Sequence, residues 1–398
     1  MSKWGDLAPY WFLLFTIGFG WFILAPLLPA LSKAFSVGLG SVLLIISSYG
    51  YTMVVLGLLA GYIAARFTVK SALYSAMIIS IVGLIGRAVS PNYISFLLFG
   101  IIAAIAYPLA MAPVGSVADS IYKERSHTII GISVGMLFLG MAVGALLGPY
   151  IFEGFGLSGT MWLTVILAVL AAIWLPFKVK DYPTFYKGKS LHGSFKLGMI
   201  KNWYVGFAIA SMSVMFGSIA STVLLLHKLS LETALSYGGL FGGLTFLGSA
   251  LGAIILPPIF ERYNAIRAGL VTTGVLSFVF VATMALTLSY TSLLAAIALA
   301  YFLFGFFGNA YWSMAMTSTT NYVDDPAKAG FATSMYSVVT NLGVAIIPVF
   351  VGAEFGSMTT IFMGVSVVLL IEAIAMILAP TLLAKPKTAD ARMVRHKG

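Results

Sequence analysis

From Pro9 to Leu31 the chain runs for 23 residues without one Asp, Glu, Lys or Arg. Hydrocarbon offers backbone N–H and C=O groups no partner, so a segment of this kind must satisfy them within a helix. About 20 residues suffice to cross the roughly 30 Å apolar core of a bilayer. Runs of this character recur over 9–31, 41–65, 71–90, 93–117, 128–152, 159–177, 203–226, 236–260, 266–288, 292–317, 329–352 and 357–383. The sequence therefore predicts an all-α membrane protein with twelve transmembrane helices. A soluble domain carries about 25% charged residues; the 9% here, spread over 398 residues, fits a chain solvated mainly by lipid and by other helices. The first run lacks a small-residue cleavage site and is expected to be retained, not removed as a signal peptide.

The positions of the cations orient the bundle. Counting alternate loops, 19 of the 22 Lys and Arg fall on the side that also carries both termini; only Lys33, Arg87 and Lys228 fall elsewhere. By the positive-inside rule both termini are expected in the cytoplasm, with the chain in the plasma membrane. The net charge of +10 is dispersed over these short loops, so no nucleic-acid partner is expected. The longest polar interruption, "KVKDYPTFYKGKSLHGSFKLGMIKN", is basic and contains Pro and Gly. It divides the chain into a six-helix half over 1–177, a cytoplasmic linker over 178–202 and a second six-helix half over 203–398 with a short basic tail.

Chemistry is bounded by what is missing. The chain has no cysteine, which excludes a thiol nucleophile, a disulfide framework and a thiolate metal site. Its four histidines, His127, His192, His227 and His396, show no metal-ligand spacing. No convergent nucleophile or acid–base set is visible, so no catalytic residue, cofactor or metal is expected, and the chain is not read as an enzyme. No Walker motif is present either, which leaves ion gradients and not ATP as the direct energy source for any transport.

One short stretch ties these features to a family. "GYIAARFTVK", after the second span, resembles the major facilitator superfamily signature G-x-L-A-D-R-x-G-R-[RK] through Gly61, Ile63, Ala64, Arg66 and Lys70. Ala65 stands where the family has its acid and Thr68 where it has glycine. After the eighth span, "PPIFERYNAIR" supplies an echo: Glu261 and Arg262 fall on the acid–arginine pair, Asn264 on the glycine and Arg267 near the last cation. "GMAVGALLGPYIFEG" resembles the family's fifth-helix signature through Gly144, Gly148 and Pro149, with Phe152 and Glu153 in place of its final glycines. "YKERSHTIIG" resembles its E-R-G loop through Glu124 and Arg125, and "DDPAKAGFA" occupies the equivalent place in the second half. The family's fourth-helix arginine is absent.

The resemblance implies the major facilitator fold, alternating access, and gating contacts at Arg66, Lys70, Gly144, Gly148, Pro149, Glu261 and Arg262. It also implies a midplane cavity lined chiefly by spans 1, 4, 7 and 10. On these spans and span 11 the substrate-binding candidates are Trp21, Tyr107, Ser218, Tyr301, Asn309, Trp312 and Asn341. No Asp, Glu, Lys or Arg lies in the middle of spans 1, 2, 4, 5, 7, 8, 10 or 11, which disfavours sugar phosphates and dicarboxylates. A neutral or amphipathic organic solute is expected, with an organic cation held by aromatic faces as the alternative. Arg87, near the end of span 3, is expected to snorkel to the interface. Glu372, Asp119 and Glu153 are the proton-coupling candidates. Beyond the solute, the expected partner is the lipid bilayer, and the chain is expected to be a monomer. Proton antiport is favoured over an ion-independent facilitator or importer, and a non-transporting membrane sensor is the alternative from another class.

Overall fold

The computed structural model describes residues 3–122, 126–178, 199–291, 293–320 and 326–382. They form α1 (Ala8–Phe22), α2 (Leu28–Phe35), α3 (Leu39–Arg66), α4 (Val69–Ala88), α5 (Tyr93–Ala104), α6 (Ala106–Met111), α7 (Val114–Tyr122) and α8 (Ser126–Lys178). A second group follows: α9 (Ile200–Leu226), α10 (Leu231–Arg262), α11 (Ile266–Tyr290), α12 (Leu294–Thr320), α13 (Pro326–Phe350) and α14 (Ile361–Leu378). Among the described residues there is no strand, and eleven helical stretches are long and apolar enough to cross a membrane. α1 with α2 makes one stretch, and α5 to α7 make another.

The longest stretch, within α8, would reach about 75 Å if straight, more than twice the hydrocarbon thickness. It is not straight. Gly156 has φ 65° and ψ −172°, a conformation that glycine alone adopts without strain, and it interrupts the helix between the two apolar runs read there from sequence.

Two other stretches break inside the apolar region, a feature the hydropathy pattern does not predict. α1 stops at Phe22; a 3-10 turn over Ala25–Leu27, containing Pro26, leads into α2. The chain also breaks between α5 and α6, and again between α6 and α7. Pro108 has no N–H, so the carbonyl of Ala104 loses its helical partner. The Thr52 hydroxyl of α3 reaches that carbonyl at 3.0 Å, sharing its hydrogen with Tyr49 O of its own helix at 3.0 Å. At the second break the Ala110 carbonyl accepts the Tyr10 hydroxyl of α1 at 3.0 Å. Side chains from neighbouring helices thus do for the broken span what water does for a loop in a soluble protein.

The two groups meet along two seams, α3 against α13 and α8 against α10. Glycines let the backbones touch. A methyl placed on Gly50 would lie 2.7 Å from the Ala345 nitrogen, and one on Gly57 2.7 Å from Val338 Cγ2. On Gly61 it would lie 2.6 Å from Ser334 Oγ, and on Gly40 3.8 Å from the Val349 carbonyl. Those four positions sample nearly the whole of α3. Along the other seam, Gly131 and Gly135 abut Ala253 and Ile254, while Gly239 and Gly243 abut Ala145 and Leu146. Both seams are therefore closed from the face that carries the Lys- and Arg-rich loops, here the basic face, to the opposite face.

Candidate functional site

At mid-depth the helices deliver a closed circuit of rings. Trp21 follows Gly20 near the end of α1, stacks on Tyr49 of α3 with centroids 4.5 Å apart, and lies 5.2 Å from Tyr107 of α6. The adjacent Phe22, 5.9 Å from Trp21, reaches Phe246 of α10 at 4.3 Å. Phe246 lies 6.0 Å from Phe138 of α8, Phe138 lies 6.2 Å from Trp312 of α12, and Trp312 lies 5.5 Å from Tyr336 of α13. Asn341, five residues beyond Tyr336 on the same helix, donates through Nδ2 to the Tyr107 hydroxyl at 3.3 Å, so that α13 itself joins the two ends of the circuit. Gly217 gives the space for the crossing: a methyl there would lie 2.9 Å from Phe246 and 3.1 Å from Phe22. The circuit passes between the two helix groups at Phe22–Phe246, Phe138–Phe246, Phe138–Trp312 and Tyr107–Asn341.

The circuit carries polar atoms that find no partner among the described residues. Trp312 Nε1, Tyr336 Oη and Asn341 Oδ1 are buried and without a hydrogen bond there. Each such atom costs about 1–3 kcal/mol, and native interiors hold few of them. Tyr336 Oη lies against Gly206 of α9, within the second group, whereas Trp312 Nε1 and Asn341 Oδ1 leave polar valence open on residues that contact the first group. Trp312 and Tyr107 are each only 3% exposed, so neither belongs to an interfacial belt.

Three other sequence candidates are otherwise engaged. The Ser218 hydroxyl donates to its own helix at Val214 O, 2.7 Å away. Tyr301 donates to Phe216 O at 3.2 Å and packs against Phe216 and Phe241. Asn309 Nδ2 donates to Ser213 Oγ at 3.1 Å and to Ser249 Oγ at 2.7 Å, tying α12 to α9 and α10. The structure puts these three in the packing of the second group. Conversely, Phe22, Tyr49, Phe138, Phe246 and Tyr336 join the circuit without having been singled out in sequence. The phenylalanines look like any apolar residue there; Tyr336 carried a weak signal, sharing a helix with Asn341.

The family profile described as Major Facilitator Superfamily matches residues 10–299 and again 206–395. The chain belongs to the Major Facilitator Superfamily. It is also 25% identical over 160 residues to a human protein named MFS-type transporter SLC18B1. That match covers 39% of this chain and 33% of the relative, so the chain spans about a third of the length of the curated relative it matches.

In this superfamily member the signature loops sit at the basic-face ends of the seams. Thr128 Oγ1 of α8 donates to Glu261 Oε2 of α10 at 3.1 Å, a hydrogen bond between the two groups. Arg262 is exposed. Asn264 adopts φ 53°, and Ala265 N bonds Phe260 O at 2.8 Å, so Asn264 ends α10 in the left-handed conformation that the signature's glycine would take. In the first copy Thr68 is extended at φ −162° and caps α4 by accepting from Ser71 N at 2.9 Å, which is why glycine is dispensable there. Lys70 Nζ lies 5.7 Å from the Tyr74 ring centroid. The side chains of Arg66 and Asp119 lie outside those described. Gly144 and Gly148 press α8 onto α1 within the first group, against Phe19 and Ile23, whereas Pro149 touches Gly239 across the seam.

Arg87 departs most from expectation. It does not snorkel: it is 2% exposed, and its Nη2 donates to the Gly20 carbonyl of α1 at 2.9 Å. Its guanidinium lies 5.7 Å from the Phe96 ring centroid, Tyr49 is close enough to interact with it, and Nε has no partner. The pull comes from α1, whose interruption exposes last-turn carbonyls that attract a cation. The core helices carry no central charge of their own, yet α4 delivers one beside Trp21. Glu372 of α14 is also buried, at 3% exposure, with both carboxyl oxygens lacking hydrogen-bond partners and Tyr204 as an electrostatic neighbour. Glu153 is exposed.

Proposed function

We propose that this superfamily member is a secondary transporter that carries a small amphipathic organic solute by alternating access, binding it inside the aromatic circuit. The observation that carries the reading is the coincidence of two unpartnered buried polar atoms, Trp312 Nε1 and Asn341 Oδ1, with a ring of aromatics contributed by both helix groups. Such a lining suits an amphipathic guest: apolar faces to cover it and a few polar atoms to orient it. On this reading α8 turns back at Gly156, giving twelve crossings in two six-helix halves over 1–177 and 203–398 joined by 178–202. The basic face is the cytoplasmic one, both seams close around the guest, and opening either seam admits it from one side. The relative's printed name, a transporter, is consistent with this assignment. Glu372 is the carboxyl through which a proton gradient would drive antiport, since its oxygens are buried and unpartnered.

The test is ligand binding followed by thermal shift of the purified protein against solute classes at two pH values, because a ligand bound to the folded state raises its melting temperature. Trp312→Ala and Tyr107→Ala should weaken binding of a hit about 5- to 150-fold, the equivalent of about 1–3 kcal/mol of ring contact. Trp312→Phe should lose much less. If both alanine variants melt lower but bind with unchanged affinity, the rings only pack helices and the assignment fails.

A further inference from the structure

Taking the aromatic circuit as the substrate site, we infer that it selects a guest bearing an acceptor-rich anionic group, an aromatic or amphipathic carboxylate, over one bearing an ammonium. Two independent features point this way.

The first is the balance of donors and acceptors. Trp312 Nε1 can only donate, and it has no partner. The Tyr336 hydroxyl, also unpartnered, lies against Gly206 of α9 within the second group and is not part of this set. The Tyr107 hydroxyl accepts from Asn341 Nδ2, which leaves its hydrogen to give away. Asn341 Oδ1 is the one pure acceptor among the circuit's open polar atoms. Two hydrogens, on Trp312 Nε1 and the Tyr107 hydroxyl, thus stand against one amide oxygen. A carboxylate, with two oxygens and about four lone-pair sites, answers such a set; an ammonium offers three donors and no acceptor. Bound there, an ammonium would leave the Trp312 and Tyr107 hydrogens without partners.

The second feature is Arg87. It is buried, and among the described residues it pairs with no carboxylate; its contacts are the Gly20 carbonyl, Tyr49 and the Phe96 ring. Gly20 adjoins Trp21, and Tyr49 stacks on Trp21 and lies 6.5 Å from Tyr107. A positive charge therefore stands one ring behind the circuit. With an assumed separation of roughly 10 Å and an effective dielectric of about 20, a unit charge favours an anion roughly tenfold over a neutral guest and roughly a hundredfold over a cation. Aromatic faces attract cations, but here that attraction competes with a fixed like charge. Capping the interrupted end of α1 explains the hydrogen bond to Gly20. It does not explain a donor-rich circuit beside the same charge.

The experiment uses the full-length purified protein and three probes that share one ring system: indole-3-acetate, indole-3-acetamide and tryptamine. They carry charges of −1, 0 and +1 at neutral pH. Dissociation constants of the wild type should rise in that order, by about tenfold per step at low ionic strength. Arg87→Met should collapse the order, and Arg87→Lys should keep it. Trp312→Phe and Tyr107→Phe, which keep an aromatic ring and remove a donor, should weaken the acetate and leave tryptamine unchanged; they carry the test if Arg87→Met does not fold. Tryptamine binding as tightly as the acetate, or an unchanged order in Arg87→Met, would overturn the inference. If acetamide binds and Trp312→Ala abolishes that binding while charge makes no difference, the site reading stands and this inference alone falls. If none of the three binds at about millimolar concentration, both fall.

Discussion

Gly50→Ala should open the seam between α3 and α13 from the face opposite the basic loops. The added methyl would meet the Ala345 nitrogen at 2.7 Å and the Val344 carbonyl carbon at 2.9 Å. Both are backbone atoms in a helix, so neither can turn aside; the helices must separate by about 0.7 Å to restore ordinary contact, an overpacking that typically costs about 1–3 kcal/mol. That penalty applies only while the seam is shut. The closed population should therefore fall about 5- to 150-fold relative to states open on that side. Gly61→Ala is the control: its methyl would meet Ser334 Oγ at 2.6 Å, a hydroxyl that can rotate away, and Ser334 Cβ at 3.2 Å. Its effect should stay within a factor of about 3. Because the chain has no cysteine, Ser36→Cys and Thr359→Cys, both exposed, can be spin-labelled without background. Pulsed dipolar spectroscopy should show a longer-distance population appearing in Gly50→Ala and nearly absent in Gly61→Ala. Unchanged distances in Gly50→Ala, or equal shifts in both variants, would refute the steric reasoning.

Thr128→Val removes the donor of one hydrogen bond between the helix groups, and Glu261→Gln replaces its charged acceptor by a neutral amide oxygen; a double-mutant cycle on transport rate or on the open/closed population should give a coupling of about 0.5–1.5 kcal/mol, and Ala65→Asn should do little by comparison. Glu372→Gln should abolish the response of solute flux to an imposed pH gradient in proteoliposomes while Glu153→Gln and Asp119→Asn retain it; a response surviving all three replacements removes these carboxyls from the mechanism. Thr52→Val strips the Ala104 carbonyl of its partner and should lower stability by about 1–3 kcal/mol, whereas in a Pro108→Ala background, where a backbone N–H is restored to that carbonyl, the same change should cost less. Equal melting-point losses in the two backgrounds would show that the hydroxyl is not standing in for the missing N–H.

Hydropathy carries information along the helix axis, and that part of the fold was legible in the sequence. The apolar runs over 128–152 and 159–177 bracket Gly156, where the structure interrupts α8. Breaks inside an apolar run were not read, because a window that averages hydropathy does not register Pro26, Pro108 or Pro113. Information around the axis is harder to obtain from one sequence. Depth alone sent Arg87 to the interface; which way it points depends on the carbonyls exposed where α1 is interrupted, and these appear only once α1 and α4 are packed. The same limit separates the candidate residues. Trp21, Tyr107, Trp312 and Asn341 share one circuit, while Ser218, Tyr301 and Asn309 have their polar atoms engaged within the second group. Residue type cannot distinguish an asparagine that bridges two serines from one whose oxygen is left open. The two signature copies show the converse: Asn264 substitutes for glycine because asparagine tolerates positive φ, and Thr68 does so because its position is extended.

The closure of both seams also has an electrical consequence. Where the seams are closed, part of the membrane potential drops across packed protein. Arg87 lies within that drop, tied to α1. Moving one elementary charge through the whole field is worth about 2.3 kcal/mol per 100 mV. Any rearrangement that shifts α1 between faces therefore carries a fraction of a gating charge, and a guest of opposite sign travelling beside Arg87 would cancel it. On the proposed transport reading, the empty and loaded forms should then respond to voltage in different degrees, with the loaded return step the less sensitive of the two.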